Sequence, residues 1–191
     1  MSPSLTDDIR QSATEAYGTV PNFLEAMLPD GDTAGAVYLA ADEALTDGLL
    51  SPAEQQAVLL AICAHHNSRY DSIAHARMAL DAGLSPEVVD RLLAGELPQN
   101  DRLQALIEAT RQTYDERGWL APETVQDLEK RGVGRGELYE IFALYGMKTF
   151  SCFTNHVTDP AVDAGLQWTE DRLDDVPDKP STMEMRRLVL G

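Results

Sequence analysis

The sequence predicts an all-α chain, and three observations carry that expectation. Apolar residues recur at helical spacing along most of the length, no stretch sustains a period-two alternation of β-branched residues, and helix caps punctuate the chain throughout. With 191 residues, 43 % of them hydrophobic, the chain is long enough for one domain with a real core, or one domain plus tails.

Taken in order, Leu5 to Tyr17 reads as a polar, amphipathic first helix. The turn Tyr17-Gly18-Thr19-Val20-Pro21-Asn22-Phe23 leads into a short helix to Met27, and Asp32 is expected to cap a separate helix from Thr33 to Leu45 that Gly48 ends. Ser51-Pro52-Ala53-Glu54 is a strong helix start: an N-cap serine, proline at the first helical position and a carboxylate where a capping box places one. That helix runs to about Ala64. After the polar break His65-His66-Asn67-Ser68, another runs from about Ser68 to Ala82 and stops at Gly83. Ser85-Pro86-Glu87 starts the next, closed by Gly95. Helices follow at Asp101–Arg117, Pro122–Arg131 and Gly136 to about Val157. From Thr169 the chain is polar, and Leu188 to Leu190 are expected to dock on a neighbour. The expected organisation is an N-terminal helical extension (1–14), one helical domain (15–168) and a C-terminal arm (169–191).

Fifteen basic residues face 32 acidic ones, a formal charge of −17. Such a surface repels nucleic acid and anionic lipid, so neither is an expected partner. No apolar run approaches the roughly 20 residues that span a bilayer. The start MSPSLTDDIRQ has neither a basic region nor an apolar stretch, so the expectation is a cytoplasmic protein without a signal peptide. The two cysteines, Cys63 and Cys152, lie far apart, each in an apolar helical stretch. There is no CxxC pair and no zinc-type spacing, so buried free thiols are expected. A Cys63–Cys152 pair would require their two helices to pack together.

The stretch from Gln56 to Gly83 is the focus for function, because it holds three of the four histidines around the polar break. Several pieces of the chain resemble one family. Tyr17-Gly18-Thr19-Val20-Pro21-Asn22-Phe23 is similar to a G-x-V-P-N motif. Leu50 to Asn67 is similar to L-x-x-x-E-x-x-x-V-L-L-x-x-A-x-x-N. Ala74-His75 with Ala79-Leu80, Gly83-Leu84-Ser85, Val88 and Gly95 is similar to A-H-x-x-x-A-x-x-x-G-L-S and the helix after it. Lys148-Thr149 through Asn155-His156, Pro160 and Asp163 is similar to K-T-x-S-x-x-x-N-H-x-x-x-P-x-D. In this order, over roughly residues 15 to 166, they resemble the carboxymuconolactone decarboxylase family, which includes the AhpD-type alkylhydroperoxidases. The resemblance implies an AhpD-like helical bundle that assembles as a homo-oligomer, a trimer or hexamer.

The thiol branch of that family uses a Cys-x-x-Cys at a helix start, a histidine four residues on and a glutamate in the preceding helix. Carried over, the cysteines fall on Ser68 and Asp71, the histidine on His75 and the glutamate on Gln56. Only the histidine is kept, so the resemblance does not extend to disulfide chemistry at this site. Arg69-Tyr70-Asp71-x-x-x-His75 is similar instead to the R-Y-E-x-x-x-H of a non-thiol branch, with aspartate one methylene shorter. Positions i and i+4 share a helix face, so Asp71 is expected to hold His75 in one tautomer, raise its pKa and form an acid–base pair with it. Arg69 would supply a cation for a carboxylate or carbonyl substrate. Ser68, Gln56, His66, Tyr70 and His156 complete the expected binding set.

Structural readings stand beside each of these. Ser68 and Asp71 fit a capping box, His75 fits a hydrogen-bonded core histidine, and Arg69 fits a surface ion pair. No cofactor and no metal is expected, although His65 or His66 with His75, Asp71 and His156 would make a histidine–carboxylate set if the fold gathered them. Tyr139, Phe142, Tyr145, Phe150 and Phe153 read as core packing, with one or two beside His75. Three functions follow: a non-thiol enzyme on a small organic molecule, a thiol antioxidant using Cys63 or Cys152, and a non-catalytic binding or scaffold oligomer.

Overall fold

The computed structural model describes residues 4–166 and 169–171. Its helices are α1 (Leu5–Tyr17), α2 (Asn22–Thr46), α3 (Pro52–His66), α4 (Arg69–Asp81), α5 (Pro86–Leu93), α6 (Asp101–Asp115), α7 (Pro122–Lys130) and α8 (Arg135–Thr158). Among the described residues there is no strand, so the all-α expectation holds. No described helix is long and apolar enough to cross a membrane.

Helix α3 is the axis. Every residue from Gln55 to Cys63 is buried, and a helix buried all round has to be central. Helices α4, α5, α6 and α8 pack on it, α2 packs on α8, and α1 packs on α2. Leu60, Ile62, Ile73, Leu106, Ile141 and Leu144 fill the space between them.

Local chemistry sets the ends of these helices. Ser51 and Glu54 form the reciprocal capping box with Pro52 in the first turn, as expected. Asn67 closes α3 in the left-handed region at φ 53°, a conformation asparagine tolerates better than most residues. This turns the chain directly into α4. The short helix to Met27 and the separate helix expected from Thr33 to Leu45 are instead one helix bent at Gly31, where φ is −149° and ψ 50°, just after Pro29. Proline removes a donor and glycine leaves the helical region. Met27, Leu28, Gly35 and Tyr38 are nonetheless buried on both sides of the bend, so the helix resumes at once. Asp32 accepts a hydrogen bond from the Thr33 amide at 2.6 Å inside this bend.

Glu140 on α8 pins the turn between α2 and α3, accepting from the amides of Leu49 at 2.5 Å and Leu50 at 3.2 Å. Gly48 passes so close that any Cβ there would overlap the Glu140 carboxylate. The first helix buries Ile9 and Ala13, and Arg10 grips Glu25 on α2 through two nitrogens at 2.8 and 2.9 Å. At the other end, Thr169 is buried and Glu170 pairs with Arg69 at 3.0 Å. The docking expected of Leu188–Leu190 lies outside the described residues.

Two of the short motifs meet in space. The Asn22 amide donates to Asp163 at 2.8 Å, the Asn22 side chain donates to the Ala161 carbonyl at 2.9 Å, and the Tyr70 hydroxyl donates to Asp163. Asn22, Tyr70 and Asp163 thus form a clasp that ties the segment after α8 to the start of α2.

Candidate functional site

Asp71 and His75 sit one turn apart on α4, and both are buried. Their surroundings differ. Asp71 is enclosed by donors: Ser68 at 2.6 Å, Asn155 at 2.7 Å, Ser151 at 3.0 Å and the Lys148 ammonium at 3.2 Å. Lys148 is itself only 1 % exposed. It also donates to the Tyr38 hydroxyl at 3.2 Å and lies 5.5 Å from the centre of that ring. Burial alone would raise the Asp71 pKa. The Lys148 ammonium outweighs it, together with His75 and the hydrogen bonds from Ser68 and Asn155, and the carboxyl is held below its ordinary value. Burial likewise works against the Lys148 charge, but the Tyr38 hydroxyl and Asp71 carboxylate raise its pKa well above the ordinary lysine value. The result is a closed ion pair with its hydrogen-bonding capacity used internally, the condition under which a buried pair is tolerated. Ser68 spends its hydroxyl on the Asp71 carboxylate and makes no side-chain cap, so the capping box expected of these two does not form.

His75 takes a different partner from the one expected. Its Nδ1 lies 2.8 Å from the Gln56 Oε1 on α3, and no hydrogen bond joins it to Asp71. An amide oxygen only accepts, so in the neutral ring Nδ1 carries the proton and Nε2 keeps a bare lone pair. Burial lowers the His75 pKa, the Lys148 charge lowers it further, and Asp71 opposes them without prevailing. The expected upward shift is therefore a downward one, and the imidazole is neutral at pH 7.

Although only 7 % exposed, His75 forms part of the wall of a cleft of about 680 Å³. Leu59, Met78, Leu144 and Met147 give this cleft an apolar floor, Gln55 and Gln56 add amides, and Tyr17 and Asp42 stand at its side. The Tyr17 hydroxyl donates to Asp42 Oδ2 at 2.6 Å. The sequence marks Tyr17 only as the start of the turn after α1, and it does not mark Asp42, Gln55 or Met147. Their positions on four different helices carry no local signal that they would meet.

The expected binding set divides in three. Gln56 and His75 face the cleft. Ser68, Arg69, Tyr70 and His156 line a separate, smaller pocket of about 300 Å³, together with Asn155 and Glu170. His66 belongs to an aromatic tier: its Nε2 lies 2.9 Å from the Thr149 hydroxyl, and its ring stacks on Tyr145 at 5.8 Å and meets Phe153 edge-on at 5.2 Å. Burial pushes its pKa down to about 4, with His65 and His156 adding to the shift.

Among the described residues, the histidines do not gather into a ligand set with Asp71. The potential metal group found among the described residues is Cys63, Asp71 and Cys152, whose ligand atoms lie within 4.8 Å of one another. Asp71 is already paired there with the Lys148 ammonium. A metal would have to compete with that charge, and the donor set does not suit one as it stands. Both cysteines are buried free thiols, as expected, and burial raises the pKa of Cys152 well above its ordinary value, with Cys63 adding to the shift.

No protein-family model matches the chain, and no curated protein matches its sequence. Solved structures do match in fold. A peroxidase-related protein from Ralstonia eutropha JMP134 with an alkylhydroperoxidase AhpD core is 20 % identical with a TM-score of 0.73, over 87 % of this chain and 92 % of that one. A peroxidase-related protein from Silicibacter sp. TM1040 is 16 % identical with a TM-score of 0.71, over 85 % and 86 %. The debrominase Bmp8, as a C82A variant in complex with 2,3,4-tribromopyrrole, is 14 % identical with a TM-score of 0.66, over 87 % and 90 %. The architecture is thus the AhpD-like helical bundle expected from the motifs.

Proposed function

We propose that the chain is a non-thiol enzyme of the AhpD-like superfamily, related to the carboxymuconolactone decarboxylases, that moves protons on a small organic molecule held in the cleft beside His75. The observation that carries this reading is the His75–Gln56 pair. A buried, neutral imidazole with its Nδ1 proton committed to an amide oxygen leaves Nε2 without a hydrogen-bond partner among the described residues, and the residue lines a ligand-sized cavity. Nε2 accepts a proton from a substrate O–H, or from a C–H next to a carbonyl, and returns it to the same or a neighbouring atom. The Gln56 oxygen accepts from Nδ1–H throughout and fixes the ring. The apolar floor keeps the imidazole only partly hydrated, which preserves an uncharged base at neutral pH.

Asp71 does not act as the partner of His75 in this reading. With Lys148, Ser151 and Asn155 it holds the first turn of α4 in place, so its role is positioning. The debrominase of the same fold binds a small aromatic compound, which supports a small-molecule site within this architecture. The chain works as a homo-oligomer, with the exposed Tyr139, Phe153 and Val157 of α8 meeting a second copy. It needs no cofactor for the step described.

The test is exchange of solvent deuterium into a panel of neutral, enolisable carbonyl compounds, followed by proton NMR. Exchange that is lost in His75→Ala and retained in Cys63→Ser and Cys152→Ser is expected. Full exchange by His75→Ala would remove the proposal. A second reading, thiol antioxidant activity, rests on the closeness of Cys63 and Cys152. It requires free-thiol titre to fall as peroxide is consumed. An unchanged titre would eliminate it.

A further inference from the structure

The cleft beside His75 carries a one-sided charge. Four carboxylates line it, those of Glu15, Asp42, Glu43 and Asp47, and among the described residues no lysine or arginine does. Lys148, next in sequence to the lining residue Met147, is buried and bound to Asp71. Arg69, the residue expected to bind a substrate carboxylate, lines the other pocket and pairs with Glu170. An acidic rim alone would say little. Here it lines the same cleft as His75, more than nine-tenths buried, whose Nε2 has no hydrogen-bond partner among the described residues.

The free hydrogen-bonding positions agree with the charge. Nε2 accepts. Asp42 is half-buried and receives the Tyr17 hydroxyl on Oδ2, leaving Oδ1 as a second open acceptor among the described residues. A carboxylate ligand brings acceptors and a negative charge, so it opposes both. An ammonium brings donors and a positive charge, so it satisfies both, and the focused field of a cleft lined by one sign of charge concentrates it. The floor of Leu59, Leu144, Met78 and Met147 requires the remainder of the ligand to be apolar.

From this we infer that the cleft selects an organic ammonium compound, a protonated amine on an apolar body, and rejects carboxylates. The ammonium rests against Asp42 while its N–H, or that of a neighbouring donor, reaches His75 Nε2. The inference rests on the cleft being the ligand site of the proposed function. It does not depend on proton transfer by His75.

The test is calorimetric titration of the full chain at low ionic strength with three matched probes: 1-naphthylmethylamine, 1-naphthylmethanol and 1-naphthoate. The expected order is amine, then alcohol, then carboxylate, with about ten-fold or more between the first and last, narrowing as salt screens the rim. Asp42→Asn should weaken the amine several-fold and the alcohol much less, and Glu43→Gln on the exposed rim should weaken the amine to a smaller degree. Glu123→Gln, on α7 away from the cleft, should change nothing. Binding of the carboxylate as tightly as the amine would overturn the inference, and so would binding of none of the three. An equal effect of Glu123→Gln and Asp42→Asn would also overturn it, because the attraction would then be that of the whole acidic molecule. The charge order should persist in His75→Ala. Failure of the amine preference with His75-dependent deuterium exchange intact would remove this inference alone. The reverse outcome would remove the proton-transfer reading alone.

Discussion

Asp71 and His75 share one face of α4, and their surroundings are opposite in kind. Around Asp71 every direction is filled by a donor from Ser68, Lys148, Ser151 or Asn155. Around His75 one nitrogen is tied to Gln56 and the other has no hydrogen-bond partner among the described residues, in a side chain that lines the cleft. Where the resemblance places the second thiol of a disulfide, the chain has buried a charge and neutralised it from α8. Where the resemblance places the histidine, it has kept both the residue and its access to a cavity. A group with all its valences satisfied holds structure, and a group with one valence left open at a cavity is available for chemistry. The difference assigns the two residues different roles despite their i, i+4 spacing.

The comparison breaks most readily at the closed end. Lys148→Met leaves the Asp71 carboxylate buried without its counter-charge and should cost about 3–5 kcal/mol, read as a lowered urea midpoint. Adding Asp71→Asn to it should recover a large part of that loss, because the uncompensated charge is gone. A double variant no more stable than the single would show that the pair is not what stabilises this end. Asn155→Ala removes one donor to a charged acceptor and should cost about 2 kcal/mol by the same measurement.

At the open end the stability effects are smaller. His75→Ala enlarges a cavity that already reaches solvent, and water can satisfy the Gln56 oxygen, so a loss of about 1 kcal/mol is expected. A loss as large as that of Lys148→Met would make His75 a core histidine and erase the contrast. The smallest effect concerns pH. His75 has a lowered pKa in the folded chain, so below the ordinary histidine value of about 6.5 the unfolded state binds a proton that the folded state does not. Its contribution is therefore fully present above that value and declines as pH falls below it. The Asp71 carboxyl is also lowered, and its contribution is lost only further down, below the ordinary aspartate range. His75→Gln should flatten the stability profile between about pH 6.5 and 4.5 and leave the steeper fall below pH 4 in place.

Much of the fold was legible because its signals are local. Ser51, Pro52 and Glu54 announce α3, and Gly83 marks the end of α4 through the backbone freedom it supplies. In the sequence alone, Pro29 and Gly31 signal a break. Local propensity favours a stop there, and only burial on both sides, a tertiary effect, carries the helix through. The site was less legible for the same reason. Asp71 and His75 stand four apart, which places them on one face but does not say which way each turns. The deciding partner, Lys148, is 77 positions away. A partial signal did exist: Lys148, Ser151 and Asn155 recur at i, i+3 and i+7, so they share a face of α8 and converge on a common partner. Nothing comparable linked Tyr17 or Asp42 to His75.

The most direct test of the account is the protonation state of the His75 ring, read from its nitrogen and carbon-bound proton shifts in a long-range 1H–15N NMR experiment between pH 5 and 8. The expected result is a single neutral ring throughout, protonated on Nδ1, with a bare Nε2 whose shift moves when 1-naphthylmethylamine is added. A ring that titrates near pH 6.5, or one that carries its proton on Nε2, would contradict it.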